Sequence, residues 1–154
     1  MTTLKRLSNP DSGSLDIVYG EDWNTLVTFI SEVGTYLIPS VSPTLGTNGS
    51  LGSESTLYDV SNTDYNLVLL GLRIQTSGVG SETITIRITS YFSDDTSTYV
   101  DFSTATDVDW KFPPIELLDL VKDGVSIKKM TVQASTSASS TTATVTVTPL
   151  LVRV

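Results

Sequence analysis

Apolar and polar residues alternate with a period of two over most of this chain. The pattern is clearest at residues 82–92, ETITIRITSYF, where Ile84, Ile86 and Ile88 fall on one face and Thr83, Thr85, Arg87 and Thr89 on the other. That spacing predicts a strand with one face in a core and the other toward solvent or a partner. Residues 142–154, TATVTVTPLLVRV, repeat it, with Ala143, Val145 and Val147 opposite a row of threonines. Residues 125–134 form a third long strand, whose alternation slips at Lys128-Lys129, between Ile127 and Met130, as it does at a β-bulge. Residues 66–75, NLVLLGLRIQ, are almost continuously apolar, which predicts a central strand covered on both faces. Shorter strands are expected at 15–19, 35–41, 55–60, 97–102 and 108–112, with Pro39 placing the second of these on an edge or ending it early. The in-facing positions predict a core in which Ile84, Ile86 and Ile88 pack with Leu67, Leu69, Ile127, Val132, Val145 and Val147.

Between these runs lie the chain breakers. TSGVGS at 76–81 and STSASS at 135–140 predict hairpin turns between the strands that flank them. Residues 42–54, with Gly46, Gly49 and Gly52 three apart, predict a long flexible loop. It is not a phosphate-binding loop, because no strand-to-helix transition with a lysine follows. Two stretches have helical spacing. After Pro113-Pro114, residues 115–121 read as a short helix or helical turn with Leu117, Leu118 and Val121 on its apolar face and Gly124 beyond its end, or alternatively as a strand leading into an Asp123-Gly124 turn. Trp23, Leu26, Val27, Ile30 and Val33 also recur at helical spacing, between Asp22 as N-cap and Gly34; read with period two, residues 25–30 are instead a strand, which the strand-rich surroundings favour.

Eight to ten strands joined by Gly-, Ser- and Thr-rich turns predict an all-β domain: a two-sheet antiparallel β-sandwich, by preference a jelly roll, with at most one or two short helices. An immunoglobulin-like sandwich ranks second, since no Cys-Trp-Cys signature is present. Residues 1–14 are polar and without period, and read as an N-terminal arm; residues 15–154 are a single domain.

Composition removes whole classes of chemistry. No cysteine or histidine is present, which excludes thiolate nucleophiles, disulfides, histidine triads and the usual zinc sites. A formal charge of −8 leaves no electrostatic footprint for a nucleic-acid partner. No apolar run approaches the roughly 20 residues of a membrane-spanning helix, so no membrane partner is expected. The N-terminus has no signal-like apolar stretch, which implies that the chain stays in the producing cell or that a leader has been removed. Charged residues are only 17%, whereas 21 Ser and 24 Thr make up 45 of 154 residues, so hydroxyls must supply much of the polar surface.

Few residues invite catalysis. Asp94, Asp95, Asp101, Asp107 and Asp109 cluster in predicted loops and include residue types that chelate calcium, but the glycine and glutamate of an EF-hand are missing. A solvated acidic rim is the simpler reading. Asp109 beside Trp110 and Asp22 beside Trp23 are the acid–aromatic neighbours that a glycosidase would need, and with Tyr58, Tyr65, Tyr91 and Tyr99 they suggest a carbohydrate-binding module as the alternative function. No catalytic residue, cofactor or metal is assigned. Asn48-Gly49-Ser50 fits the glycosylation pattern, as one match in a Ser/Thr-rich chain does by chance.

The threonine faces of TITIRIT and TATVTVT point elsewhere. They expose β-branched hydroxyls instead of the lysines that normally guard a sheet. With the polar arm and the absence of Cys and His, the whole chain resembles the small β-sandwich proteins of virus particles, of capsid, decoration or turret type. The resemblance implies a non-enzymatic virion component that forms a homo-oligomer, such as a trimer or pentamer, and contacts other virion proteins. The arm is the expected assembly element: Lys5 and Arg6 would meet an acidic neighbour, and Leu15, Ile17 and Tyr19 would lie along one side of an added strand.

Overall fold

The computed structural model describes residues 36–154. Nine strands follow in order: β1 (Tyr36–Leu37), β2 (Leu45–Gly46), β3 (Ser55–Asp59), β4 (Leu67–Ser77), β5 (Ile84–Phe92), β6 (Ser97–Thr104), β7 (Asp109–Phe112), β8 (Ile127–Thr136) and β9 (Thr144–Arg153). One 3-10 helix, Pro114–Leu120, separates β7 from β8. Strands make up 53% and helix 6%, so the described chain is a β protein. Its pairing is antiparallel except for the short parallel contact of β2 with β8. The segments expected at 15–19 and 23–33, and the arm residues Lys5, Arg6, Leu15, Ile17 and Tyr19, lie outside the described residues.

All nine strands belong to one hydrogen-bonded sheet, within which two ladders are distinguished. The first runs β1-β9-β4-β7; the second runs β6-β5-β8, with β3 and β2 sharing the far side of β8. A single pair, Leu67 with Ile127, joins them. Each ladder contributes one apolar row to a common core. Ile84, Ile86 and Ile88 of β5 and Met130, Val132 and Ala134 of β8 belong to the same buried cluster as Leu67, Leu69, Leu72 and Ile74 of β4 and Val145 and Val147 of β9. Every residue of the expected core is therefore buried. The slip at Lys128-Lys129 is a bulge: Tyr91 pairs with Lys129 and Phe92 with Ile127, so Lys128 is the extra residue.

Several expectations are corrected. The continuous apolar run of β4 is not covered on both faces, since Val68 is exposed between buried Leu67 and Leu69. A register shift between Leu69 and Gly71 inserts Leu70 as an extra residue, and a single insertion reverses the alternation enough to mask it in the sequence. Neither β4–β5 nor β8–β9 is a hairpin, because β4 and β9 pair with each other in the first ladder while β5 and β8 pair in the second. The glycine- and serine-rich turns cross between ladders. In place of a flexible loop over 42–54, residues 45–52 are laid along β8, with Asn48, Gly49 and Gly52 N–H groups donating to the carbonyls of Ala138, Thr136 and Ala134. A Cβ on Gly46 would stand 2.0 Å from the Ser50 carbonyl oxygen, and one on Gly52 would stand 2.2 Å from that of Thr44. These glycines permit close backbone approach; they do not signal mobility.

The 115–121 helix is present, but its buried residues are Leu117 and Leu120, whereas Leu118 and Val121 are exposed. A 3-10 helix repeats every three residues, so the i, i+3 pair turns inward where an α-helical reading had grouped 117, 118 and 121. β1 stops at Leu37, before Pro39, and lies at the edge of its ladder as expected. Beyond it the backbone pairs with β9 again at the isolated bridge Val41–Val147.

Candidate functional site

The five candidate aspartates do not converge. Asp94 receives hydrogen bonds from Lys122 Nζ and from the side chain and backbone of Thr96, which hold its carboxyl down at about 2. Asp95 occupies the tight β5–β6 turn with φ of 63°. Asp101 accepts two 2.7 Å bonds from the Arg87 guanidinium, and Asp109 accepts two of 2.8 Å from Arg73 with Lys111 at 3.4 Å; hydrogen bonding to those arginines keeps both carboxyls below their ordinary value. Asp107 accepts the Val79 N–H at 2.8 Å. Among the described residues no group of three or more acidic side chains is placed to hold a metal ion.

The remaining shifted carboxyls follow the same rule. Burial pushes Glu54 up, but hydrogen bonds from Tyr91 and Lys129 outweigh it, and the hydroxyls of Thr136 and Thr141 lower Glu82. A general acid at neutral pH needs a carboxyl held protonated, the opposite shift. These acids serve as acceptors that tie strands and loops together.

The aromatic residues divide into two groups. On the outer side of the second ladder Tyr91 donates to Glu54 at 2.7 Å, and Tyr99 lies under the Arg87 guanidinium at 4.0 Å; at the end of the first, Tyr65 lies under Arg153 at 4.3 Å. Tyr58, on β3, packs against the core instead. Trp110 belongs to a different cluster. Register places Trp110 and Phe112 beside Ile74 and Leu72, and Phe102 beside Ile86, so all three face inward. Phe102 and Phe112 meet at 4.8 Å between ring centres and Trp110 meets Phe112 edge-on at 6.0 Å, closing the gap between edge strands β6 and β7. Outside them is a cleft of about 490 Å³ bordered by Asp101, Lys111 and Glu116. The sequence reading missed Phe102 and Phe112 here, although the alternation of β7, Asp109 and Lys111 against Trp110 and Phe112, carried the signal.

The most extended chemical feature is a hydroxyl surface. The outer side of β9 presents Thr144, Thr146 and Thr148, which share hydrogen bonds with Ser77 of β4 at 2.7 Å, Ser42 at 3.1 Å and Ser40 at 3.2 Å. Gln75 and Arg73 complete the rows across β4, and Arg73 is neutralised by Asp109. Comparison with protein-family models, curated proteins and solved structures finds no match.

Proposed function

We propose that this chain is a non-enzymatic virion structural protein, a capsid, decoration or turret component, that assembles with copies of itself and with other virion proteins. In this reading the two ladders are the sheets of an antiparallel β-sandwich of jelly-roll type, packed through their apolar rows. The observation that carries it is the hydroxyl face of β9 and β4, with its three Ser–Thr pairs. Such a face lacks the lysines that keep sheets apart, and a neighbour can cover it without stripping water from unpaired charges. The test is size-exclusion chromatography with light scattering and electron microscopy on the full chain. A defined homo-oligomer is expected, and deletion of residues 1–19 should weaken it without unfolding the domain. A chain that stays monomeric at high concentration and binds no particle overturns the reading.

A second reading, a carbohydrate-binding module, is favoured by the cleft beside Trp110, where an indole and four polar side chains share one concavity. It predicts a monomer whose Trp110 fluorescence responds to oligosaccharide, with the response lost in Trp110→Ala.

A further inference from the structure

We propose that the outer edge of β6 pairs with the same edge of a second copy, antiparallel and about a two-fold axis at Val100. The pairing rests on the assembly reading and deepens it by naming a contact between copies. β6 is the end strand of the second ladder and pairs only with β5. The Phe92 N–H donates to the Thr96 carbonyl at 2.9 Å, which makes 92 and 96 a hydrogen-bonded pair. Alternation along the antiparallel ladder then turns the N–H and C=O groups of Thr98, Val100 and Phe102 toward β5, and those of Ser97, Tyr99, Asp101 and Ser103 outward. Among the described residues no backbone group pairs with these outward four. Native edges are guarded by brevity, bulges, prolines or lysines. β1 and β2 have two residues each, β7 has four and carries Lys111, and β3 has a register shift between Thr56 and Tyr58. β6, STYVDFST, is eight residues long with an unbroken register and neither proline nor lysine. Its inward side chains Val100 and Phe102 stay half-buried, although Ile88 and Ile86 opposite them are fully buried, so the core is open along this edge.

The side chains of β6 select a second copy and its register. Only outward residues can bond across the new contact, so an antiparallel copy that keeps most of the strand paired is centred on Tyr99, Val100 or Asp101. Centring on Asp101 sets that carboxylate directly against its twin, which like charge opposes. Centring on Tyr99 leaves Ser103 unpaired. Centring on Val100 pairs Ser97 with Ser103 and Tyr99 with Asp101 in both directions, and so uses all four outward residues. The Arg87 guanidinium lies 4.0 Å over the Tyr99 ring and holds Asp101 by two 2.7 Å bonds. Each Tyr99 therefore brings a cation to the second copy's Asp101, and the charges across the contact are complementary. On the inward face Val100 meets its twin and Thr98 meets Phe102, which closes the open side of the core.

Two measurements on the full chain test this. Ser103→Pro removes an outward N–H, costs β6 no bond to β5, and should weaken self-association in light scattering by at least about tenfold, with circular dichroism unchanged. Ser103→Ala, which keeps the N–H, should leave association as it is. The chain has no cysteine, so single cysteines report the register. On the axis, Val100 and its twin form a non-hydrogen-bonded pair with Cα atoms about 4.5 Å apart, within reach of a disulfide. Val100→Cys should therefore oxidise to a covalent dimer, whereas Ser97→Cys, more exposed but distant from its twin, should not. Association indifferent to Ser103→Pro, or a disulfide in Ser97→Cys and none in Val100→Cys, overturns the pairing. If Thr146→Lys abolishes that association, the assembly reading stands through the hydroxyl face while the edge pairing falls. A chain monomeric at all concentrations overturns both, and slow amide exchange at Tyr99 and Asp101 in that monomer would assign the edge to a cover from the same chain.

Discussion

The two ladders present the same chemistry inward and different chemistry outward. Inside, both contribute rows of Ile, Leu and Val to one cluster. Outside, the first is faced along β9 by threonines paired with serines, and its ion pairs among the described residues join Arg73 and Lys111 to Asp109 at the β7 side. The second carries ion pairs across its breadth, Arg87–Asp101 above Tyr99 and Lys129–Glu54 beside Tyr91, with one hydroxyl pair, Thr85–Ser103. Burial needs only an apolar row, so the interior constrains the outer residues little. The outer faces differ, and the hydroxyl face is the one that a neighbour can cover at low desolvation cost.

The largest expected effects come from the shared interior, where the ladders should behave alike. Ile74→Ala in the first and Ile86→Ala in the second each empty a fully buried site and should each cost roughly 2–5 kcal/mol in urea unfolding. A cost under about 0.5 kcal/mol for either, as at a surface position, would separate that ladder from the common core.

Next is the backbone contact that holds residues 45–52 along β8. Gly46→Ala drives a methyl into the Ser50 carbonyl and the Gly52 amide, and should cost on the order of 2 kcal/mol. Gly80→Ala meets nothing within 4 Å and should be neutral or stabilise by up to about 1 kcal/mol through the unfolded state. Equal effects at the two sites would mean that residues 45–52 do not pack as described.

The rows of the core were legible in the sequence because alternation is local: ITIRI and ATVTV need no knowledge of their partners. Even the Lys128 bulge showed as a broken period. Connectivity was not legible. A glycine or serine turn marks where the chain reverses or crosses, but nothing in TSGVGS says whether the following strand pairs with β4 or leaves for the other ladder. The ion pairs were hidden for the same reason, since Arg73 and Asp109 are 36 residues apart and meet only through the β4–β7 register. Glycines at 46 and 52 looked like flexibility because sequence cannot distinguish freedom of φ from a need for empty space. Trp110 was visible as a candidate, but its neighbours were not, because Phe102 comes from the other ladder.

Charge placed on each outer face should sharpen the contrast most directly. Thr146→Lys, on the hydroxyl face, should alter stability by no more than about 0.5 kcal/mol and yet weaken self-association seen by light scattering. Thr85→Lys, on the ion-paired face, should leave association unchanged. The reverse ranking would move the proposed assembly surface to the second ladder.

The smallest effect expected is on acid stability, and its direction follows from the carboxylates. Asp94, Asp101 and Asp109 are all held below their ordinary value in the folded chain, Asp94 at about 2, by hydrogen bonds from Lys122, Arg87 and Arg73. Groups lowered by folding contribute their stability above the unfolded value, near 3.9 for Asp, and lose it as pH falls through the folded value. Stability should thus be flat from neutral pH to about 4 and decline toward pH 2. The partners are partly exposed and screened, so the bidentate pairs Arg87–Asp101 and Arg73–Asp109 should each contribute no more than about 1 kcal/mol. Asp94→Asn and Asp101→Asn together should flatten the urea midpoint against pH in that window, while Ser77→Ala, which removes a hydroxyl pair from the other face, should leave the slope as it is. An acid limb unchanged in the double variant would mean that these pairs do not form in solution, and the outer faces would then differ less than their side chains suggest.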